Sequence, residues 1–449
     1  MEQRLVSQTL DKVRSALEHD DVSGAITLIE SLRPPDQADV FSDLDRGHQQ
    51  ELFSQLDIAD SADILEELSD EEAVELVEYL PSPALARILD EMEPDEAADL
   101  LGDLDPDHAA QLLAEMNEAD DVRPLLLHPD ETAGGLMTSE FLVLRVEMTA
   151  HEAIQAIRQW SPDTETAYYL FVVDRNSILS GVVNLRKLII AQPYTILNEI
   201  MDPEFISVPV DADREECAQL MRRYDLLALP VVDEYNHLEG IITIDDLVEA
   251  MEEEVTEDIQ RLGGAQPLAR PYLSTSVVAV AKSRIGWLLL LFVTGTLTGT
   301  IMRLFEGKIQ NTLALIFFIP LLIGTGGNAG SQTTTTIIRA LAIGEIDLGD
   351  AFRVFRREIA TGLLLGVLMA AVTFLRAITW GMGTPMSLAV SLSIMVIVVW
   401  ADSVGSVLPI ILTRLGVDPA IVSGPFMSTL VDTTGLFIYF TITGLVLTL

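Results

Sequence analysis

Five apolar segments, at about 284–304, 312–339, 357–379, 387–412 and 421–448, constrain this 449-residue chain more than any other feature. Each is long enough to cross a bilayer core, which takes about 20 residues. Yet the formal net charge is −42, so the chain must be divided. From 271 onward ten basic residues face eight acidic ones, which leaves 17 basic and 61 acidic residues in the first 270. An extremely acidic, water-facing half therefore precedes a nearly neutral membrane half. That balance argues against nucleic acid and anionic lipid as partners, and for cations. A single cysteine, Cys217, rules out an intrachain disulfide and suits a reducing compartment. The first twenty residues are charged and have no apolar core, so no signal peptide is expected. Lys282, Arg284, Arg339, Arg353, Arg356, Arg357 and Arg414 flank one side of the spans, against Arg303, Lys308 and Arg376 on the other. The excess predicts a cytoplasmic N-terminus and, with five spans, an external C-terminus.

Residues 32–116 repeat every twelve positions, marked by Leu32, Leu44, Leu56, Leu68, Leu80, Met92, Leu104 and Met116. An apolar pair follows eight and nine positions later, from Leu52-Phe53 to Leu112-Leu113. Asp, Ser or Pro opens most units, which suits helix N-termini. Units this short bury a face only by stacking, so an all-α superhelical domain is predicted over 1–130. Its acids are either a solvated outer face or cation ligands.

Texture changes over 136–250. Val172-Val173-Asp174 recurs 59 residues on as Val231-Val232-Asp233, and Gly181 as Gly240. Each copy reads strand, helix, strand, turn, strand, helix, and the pair resembles tandem CBS domains, here placed at 131–199 and 200–246. That resemblance implies binding of an adenine nucleotide such as ATP through a Gly-x-x-(Ser/Thr)-x-x-Asp motif. The second copy carries it as Gly240, Thr243 and Asp246; the first departs from it with Asn184 and Lys187.

A helix is predicted next, with Leu247, Met251, Val255, Ile259 and Leu262 on one stripe and acids elsewhere. Like charges at that density repel across a turn, so it is either a solvated connector or a helix that cations neutralise. With its linker it fills 247–272, and the five-span domain fills 273–449.

All six histidines and the cysteine precede residue 240, so the membrane half offers oxygen ligands alone, suited to hard cations. It lacks the His-Glu-x-x-His and Gly-x-Ser-x-Gly patterns of hydrolases, and no enzyme is expected. In "PLLIGTGGNAGSQTTTT" (320–336), Pro320 is expected to free a carbonyl. Gly324, Thr325, Gly326, Gly327 and Asn328, with Ser331 and Gln332, are expected to line a polar path. The alternative is close helix packing through Gly326-x-x-x-Gly330. Asp432 lies inside the fifth span with no Lys or Arg there, and a carboxylate at that depth marks a functional site. Asp402, in the fourth span, is either a second pore acid or a buried group bonded to hydroxyls.

Domain order together with "PLLIGTGGNAGSQ", "RAL" (339–341), "LGVDPA" (415–420) and Asp432-x-x-Gly435 resembles the MgtE family of magnesium channels along the whole chain. The resemblance implies a homodimer with its pore on the two-fold axis, in the cytoplasmic membrane, taking up Mg²⁺ for magnesium homeostasis. It implies that Asp432 binds the permeating ion and that cytosolic Mg²⁺ closes the pore. The matching sensor positions are Asp63, Asp95, Asp99, Glu215, Asp225, Asp246, Glu249, Glu254, Glu257, Asp258 and Asp418. An ion-coupled Mg²⁺ exchanger, a CBS-regulated anion channel and a membrane-anchored sensor without transport are the competing readings.

Overall fold

The computed structural model describes residues 2–160, 169–268, 272 and 275–447. It separates into two compact units, Met1–Glu252 with Ala269–Ser274 and Glu253–Leu268 with Thr275–Leu449.

The first unit opens with short helices: α1 Glu2–Glu18, α2 Val22–Ile29, α3 Pro34–Ser42, α4 Arg46–Phe53, α5 Ile58–Glu66, α6 Asp70–Val77, α7 Ser82–Leu89, α8 Pro94–Asp103, α9 Pro106–Glu115 and α10 Ala119–Val122. The residues that open the repeats do start them. Asp21, Asp45, Asp57 and Asp105 accept N-cap hydrogen bonds, and Pro sits in the first turn of α3, α8 and α9. The apolar pairs are buried, with Leu52, Ile64, Val77 and Leu112 fully enclosed; Leu113 is the member that stays partly open. Packing runs between alternate helices, α3 on α5, α5 on α7 and α7 on α9. The physical unit is therefore two sequence repeats long, because each short helix buries its stripe on the next-but-one neighbour.

Two matching sheets follow. Strand β1 (Val143–Arg145) runs parallel to β2 (Tyr169–Val173), which pairs antiparallel with β3 (Leu179–Asn184). Helix α11 (Ala150–Gln159) carries a Thr149–Glu152 capping box; α12 (Leu185–Ile190) and α13 (Leu197–Ile200) follow. In the second copy β4 (Val208–Pro209), α14 (Arg214–Tyr224), β5 (Ala228–Val232) and β6 (Leu238–Thr243) repeat the order. The bulge falls at Val172/Val173 in one copy and Val231/Val232 in the other, so the 59-residue repeat extends to register. Helix α15 (Ile244–Leu262) continues from β6 and crosses the boundary between the units. Leu247 is buried, while Met251, Val255 and Ile259 lie exposed.

In the second unit, five helical segments among the described residues are long and apolar enough to cross a membrane. They are α16 (Val277–Leu304), a 3₁₀ turn at Leu313–Phe318 leading into α18 (Ile319–Ala342), α19 (Ala351–Thr379) after a 3₁₀ turn, α20 (Thr384–Arg414) and α21 (Gly424–Val446). The short α17 (Glu306–Asn311) links the first two. Helix α18 packs on both α20 and α21, α19 lies along α20, and α16 rests on α21. Phe318, Leu322, Ile397, Val431, Tyr439 and Phe440 form the centre of this core.

Candidate functional site

The glycine-rich stretch departs from expectation in its backbone. Helix α18 is continuous from Ile319 to Ala342, and Pro320 sits in its first turn, where the missing N–H is one a helix start leaves unpaired anyway. Pro320 therefore starts the helix instead of breaking it, and frees no carbonyl within the span. The glycines divide between two faces. A Cβ on Gly326 would meet Ile397 at 2.6 Å and Val431 at 2.8 Å, one on Gly327 would meet Ser428 at 3.0 Å, and one on Gly330 would meet Met427 at 3.2 Å. These three let α18 settle against α20 and α21. Gly324 and Asn328 are exposed on another face, one turn apart, and Gln332 extends that line by a further turn. Thr325 is half-buried between the two faces.

The threonines also divide. Thr334 Oγ1 donates to the Gly405 carbonyl at 3.2 Å. Pro409 lies inside α20 and offers that carbonyl no N–H, so the threonine replaces a lost helix bond. Thr333 Oγ1 donates to Asp402 Oδ1 at 3.1 Å. Asp402 is 1% exposed and bonded to a hydroxyl, the second of the two readings its sequence left open.

Asp432 is half-buried on α21, and its Oδ1 has no hydrogen-bond partner. The contacts of Ser428 and Val431 with Gly327 and Gly326 set Asp432 at the level of that glycine pair. Its chain neighbours are occupied. Thr433 bonds Thr298 at 2.9 Å, and Trp400 Nε1 donates to Thr434 at 3.0 Å.

In the acidic unit, Asp95 is 6% exposed and its Oδ1 also lacks a partner. Burial, then the Asp246 carboxylate, pushes its pKa up to about 7. Burial followed by repulsion from Asp95 and Asp99 pushes Glu96 up to about 10. Asp63, Asp99, Asp246 and Glu249 are raised as well, each by lost hydration first and by acidic neighbours in turn. A cavity of about 250 Å³ lies here, and its walls are Glu66, Glu67, Glu93, Glu96, Glu140, Asp245, Asp246 and Glu249 with Thr138 and Thr243; no basic side chain lines it. Sequence reasoning named Asp95, Asp246 and Glu249 but missed Glu66, Glu67 and Glu96. The signal was available, because Glu66 and Glu67 lie one turn after Asp63 and Glu96 follows Asp95 directly. Glu215 and Asp225 are exposed at opposite ends of α14, Asp225 as its left-handed C-cap (φ 54°), and neither lines this cavity. Among the described residues, no three acidic, His or Cys side chains already converge as metal ligands.

Two members of the nucleotide motif bond each other: Thr243 Oγ1 donates to Asp246 Oδ2 at 2.5 Å. Gly240 is packed under Met137, which a Cβ would meet at 2.6 Å. In the first copy Asn184 instead caps α12, accepting from the Arg186 N–H at 2.8 Å.

At the far end of α15 the sequence reading overlooked Arg261. It donates to Glu257 at 2.5 Å and to Asp418 at 2.7 Å. Asp418 also caps the turn at Pro419–Ile421. Asp258 is half-buried beside this pair, and lost hydration, then Asp418 and Glu254, push its pKa up to about 6.

Comparison with known proteins covers the same regions. Family models match for a divalent cation transporter (MgtE) at 319–442, the MgtE intracellular N domain at 32–131, and CBS domains at 133–194 and 197–253. The chain is 44% identical to the magnesium transporter MgtE of Thermus thermophilus over 328 residues, covering 73% of this chain and 72% of that protein. The Enterococcus faecalis MgtE is 34% identical with the same coverage. Among solved structures, the cytosolic domain of the Mg²⁺ channel MgtE in complex with ATP aligns at TM-score 0.51 and 36% identity, covering 54% of this chain and 99% of that one. The soluble part of a magnesium transporter aligns at TM-score 0.51 and 32% identity, covering 56% and 99%. With a relative this close along most of both chains, and with a helical N domain, CBS pair and five apolar helices in order, the chain belongs to the MgtE family of multi-pass magnesium transporters.

Proposed function

We propose that this protein is a Mg²⁺-selective channel that admits magnesium across the cytoplasmic membrane and is closed by cytosolic Mg²⁺. The observation that carries the pore is Asp432, a carboxylate inside a span with a buried oxygen that no donor reaches. Mg²⁺ gives up its water reluctantly and prefers oxygen ligands. One charge beside neutral polar groups suits an ion that keeps most of its hydration shell. Asn328 and Gln332 lie on the same exposed line of α18 as Gly324. Polar side chains facing hydrocarbon are unfavourable, so this line fits a path shared with a second copy. A homodimer with the pore on its two-fold axis is the simplest such arrangement.

For the sensor, the support is the acid-lined cavity around Asp95 and the acids between Glu254 and Asp418. Hard oxygen ligands without a basic neighbour suit Mg²⁺, and bound ions would draw these carboxylates together. The proposed cytosolic ligands are Asp63, Asp95, Asp99, Glu215, Asp225, Asp246, Glu249, Glu254, Glu257, Asp258 and Asp418. ATP is proposed at Gly240, Thr243 and Asp246, supported by the ATP-bound relative; the Thr243–Asp246 bond would open to receive the ribose. The N-terminus is placed in the cytoplasm and the C-terminus outside. The working domain division is 1–130, 131–199, 200–246, 247–272 and 273–449.

Purified protein in liposomes carrying a Mg²⁺ indicator tests the reading. Uptake driven by voltage alone, with low Mg²⁺ on the cytosolic face, should fall when that face is brought to millimolar Mg²⁺. Uptake that requires a counter-ion would replace the channel with an exchanger.

A further inference from the structure

Asp402 is used by nothing described so far. It sits on α20 with its carboxyl 1% exposed, between α18 and α19. Oδ1 accepts from Thr333 of α18, and Oδ2 has no hydrogen-bond partner. Helix α19 makes room for it: a Cβ on Gly362 would come within 2.9 Å of Oδ2. The charged group that faces it from α19 is Glu358, one turn before Gly362, which repels it; Arg357 is the charge acting on Glu358. From α18 the facing groups are hydroxyls, Thr333 on Asp402 and Thr334 on the Gly405 carbonyl. On α20 itself, Ser403 and Ser406 spend their hydroxyls on backbone carbonyls.

A carboxylate held this way has one donor, no cation and a negative neighbour. A proton on Oδ2 removes the charge and turns an unpaired acceptor into an O–H. We propose that Asp402 is a proton-binding site inside the membrane unit, with Thr333 fixing the unprotonated oxygen and Gly362 providing the space for the protonated one. Because Asp402 is packed between α18 and α19, proton release there leaves a buried charge among these helices that the single Thr333 donor offsets only in part. Alkaline pH therefore weakens the packed arrangement, and acid pH restores it. The inference does not depend on Asp432 or on the direction of Mg²⁺ movement.

The test uses the full-length protein, wild type and Asp402→Asn, at constant Mg²⁺ between pH 5 and pH 8. Infrared spectra of the two proteins at acid pH should differ by a protonated-carboxylic-acid C=O band that is absent from the variant and fades from the wild type as pH rises. Thermal stability should match at acid pH and separate at alkaline pH, with the variant the more stable, since its amide never ionises. Thr333→Val should shift the loss of the infrared band to higher pH, because the ionised form loses its donor. A wild-type spectrum with no band assignable to Asp402, or a stability difference that stays constant across the pH range, overturns the proposal.

Discussion

Asp95 and Asp432 each hold an oxygen buried away from any donor, yet their surroundings are opposite. Lost hydration comes first for Asp95 and for its neighbour Glu96, and repulsion is added to it, from Asp246 on Asp95 and from Asp95, Asp99, Glu249 and Glu66 on Glu96. Asp432 is the one charged residue of α21, with Val431 and Thr433 as its chain neighbours. At an effective dielectric constant of about 20, two charges 4 Å apart repel by roughly 4 kcal/mol. Crowding on that scale makes the shape of the acidic unit depend on whatever neutralises it, whereas an isolated acid can bind and release one ion without moving its neighbours. The first arrangement suits a sensor, the second a passage.

The largest effect that could break this contrast is at the passage. Asp432→Asn should lower Mg²⁺ flux into liposomes by about 100-fold or more, equivalent to roughly 3 kcal/mol, while size-exclusion profile and melting temperature hold. Flux within a few-fold of wild type would remove Asp432 from the path.

Next in size is a pair of valines that separates packing from lining. Gly326→Val must displace Ile397 and Val431, and overpacking of that kind costs about 1–3 kcal/mol, so the membrane unit should melt earlier. Gly324 has nothing within 4 Å of an added Cβ in its own chain. Gly324→Val should leave the fold intact and reduce flux. Equal melting temperatures and equal fluxes in the two variants would mean that α18 has no distinct packing and lining faces.

The crowded region makes a prediction in pH. The folded pKa values of Glu96 (about 10) and Asp95 (about 7) lie above the unfolded ones, so the folded protein holds protons that the unfolded chain releases. Stability without Mg²⁺ should therefore fall as pH rises, from about pH 4 to 7 through Asp95 and from about pH 4 to 10 through Glu96. Glu96→Gln should raise the Mg²⁺-free melting temperature at neutral pH and flatten this slope. A melting curve that improves with rising pH in the absence of Mg²⁺ would contradict the crowding account.

The smallest expected effect is at Thr334. Replacing it with Val leaves the Gly405 carbonyl without a donor, at a cost of about 1 kcal/mol, readable as a lower melting temperature with flux retained. No change would mean that the carbonyl finds another donor.

Element order and the five spans were legible from periodicity and hydropathy, because repeats of twelve and runs of apolar residues are one-dimensional signals. The 59-residue repeat correctly gave two copies of one β-α-β-β unit. The backbone of 320–336 was not legible in the same way. Proline and glycine read as breakers locally, but Pro320 falls in a first turn and Gly326, Gly327 and Gly330 meet specific side chains of α20 and α21, which are distant in sequence. Thr334 owes its partner to Pro409, 75 positions away. The acids of the cavity were partly visible, since Asp246 and Glu249 matched family positions and Glu66, Glu67 and Glu96 did not. A run of acids reads as a solvated face until folding shows which members are crowded together. Arg261 was overlooked for a similar reason, its partner Asp418 being 157 residues away.

The central claim is that the acidic unit senses Mg²⁺ and the isolated acid conducts it. Single-channel open probability against cytosolic Mg²⁺ tests it most directly, in wild type and in Asp95→Asn with Glu249→Gln. In wild type, open probability should fall steeply as Mg²⁺ rises, because several sites fill together. In the double variant conduction should persist while closure becomes shallower and shifts to higher Mg²⁺. An unchanged closing curve in the double variant would contradict the account.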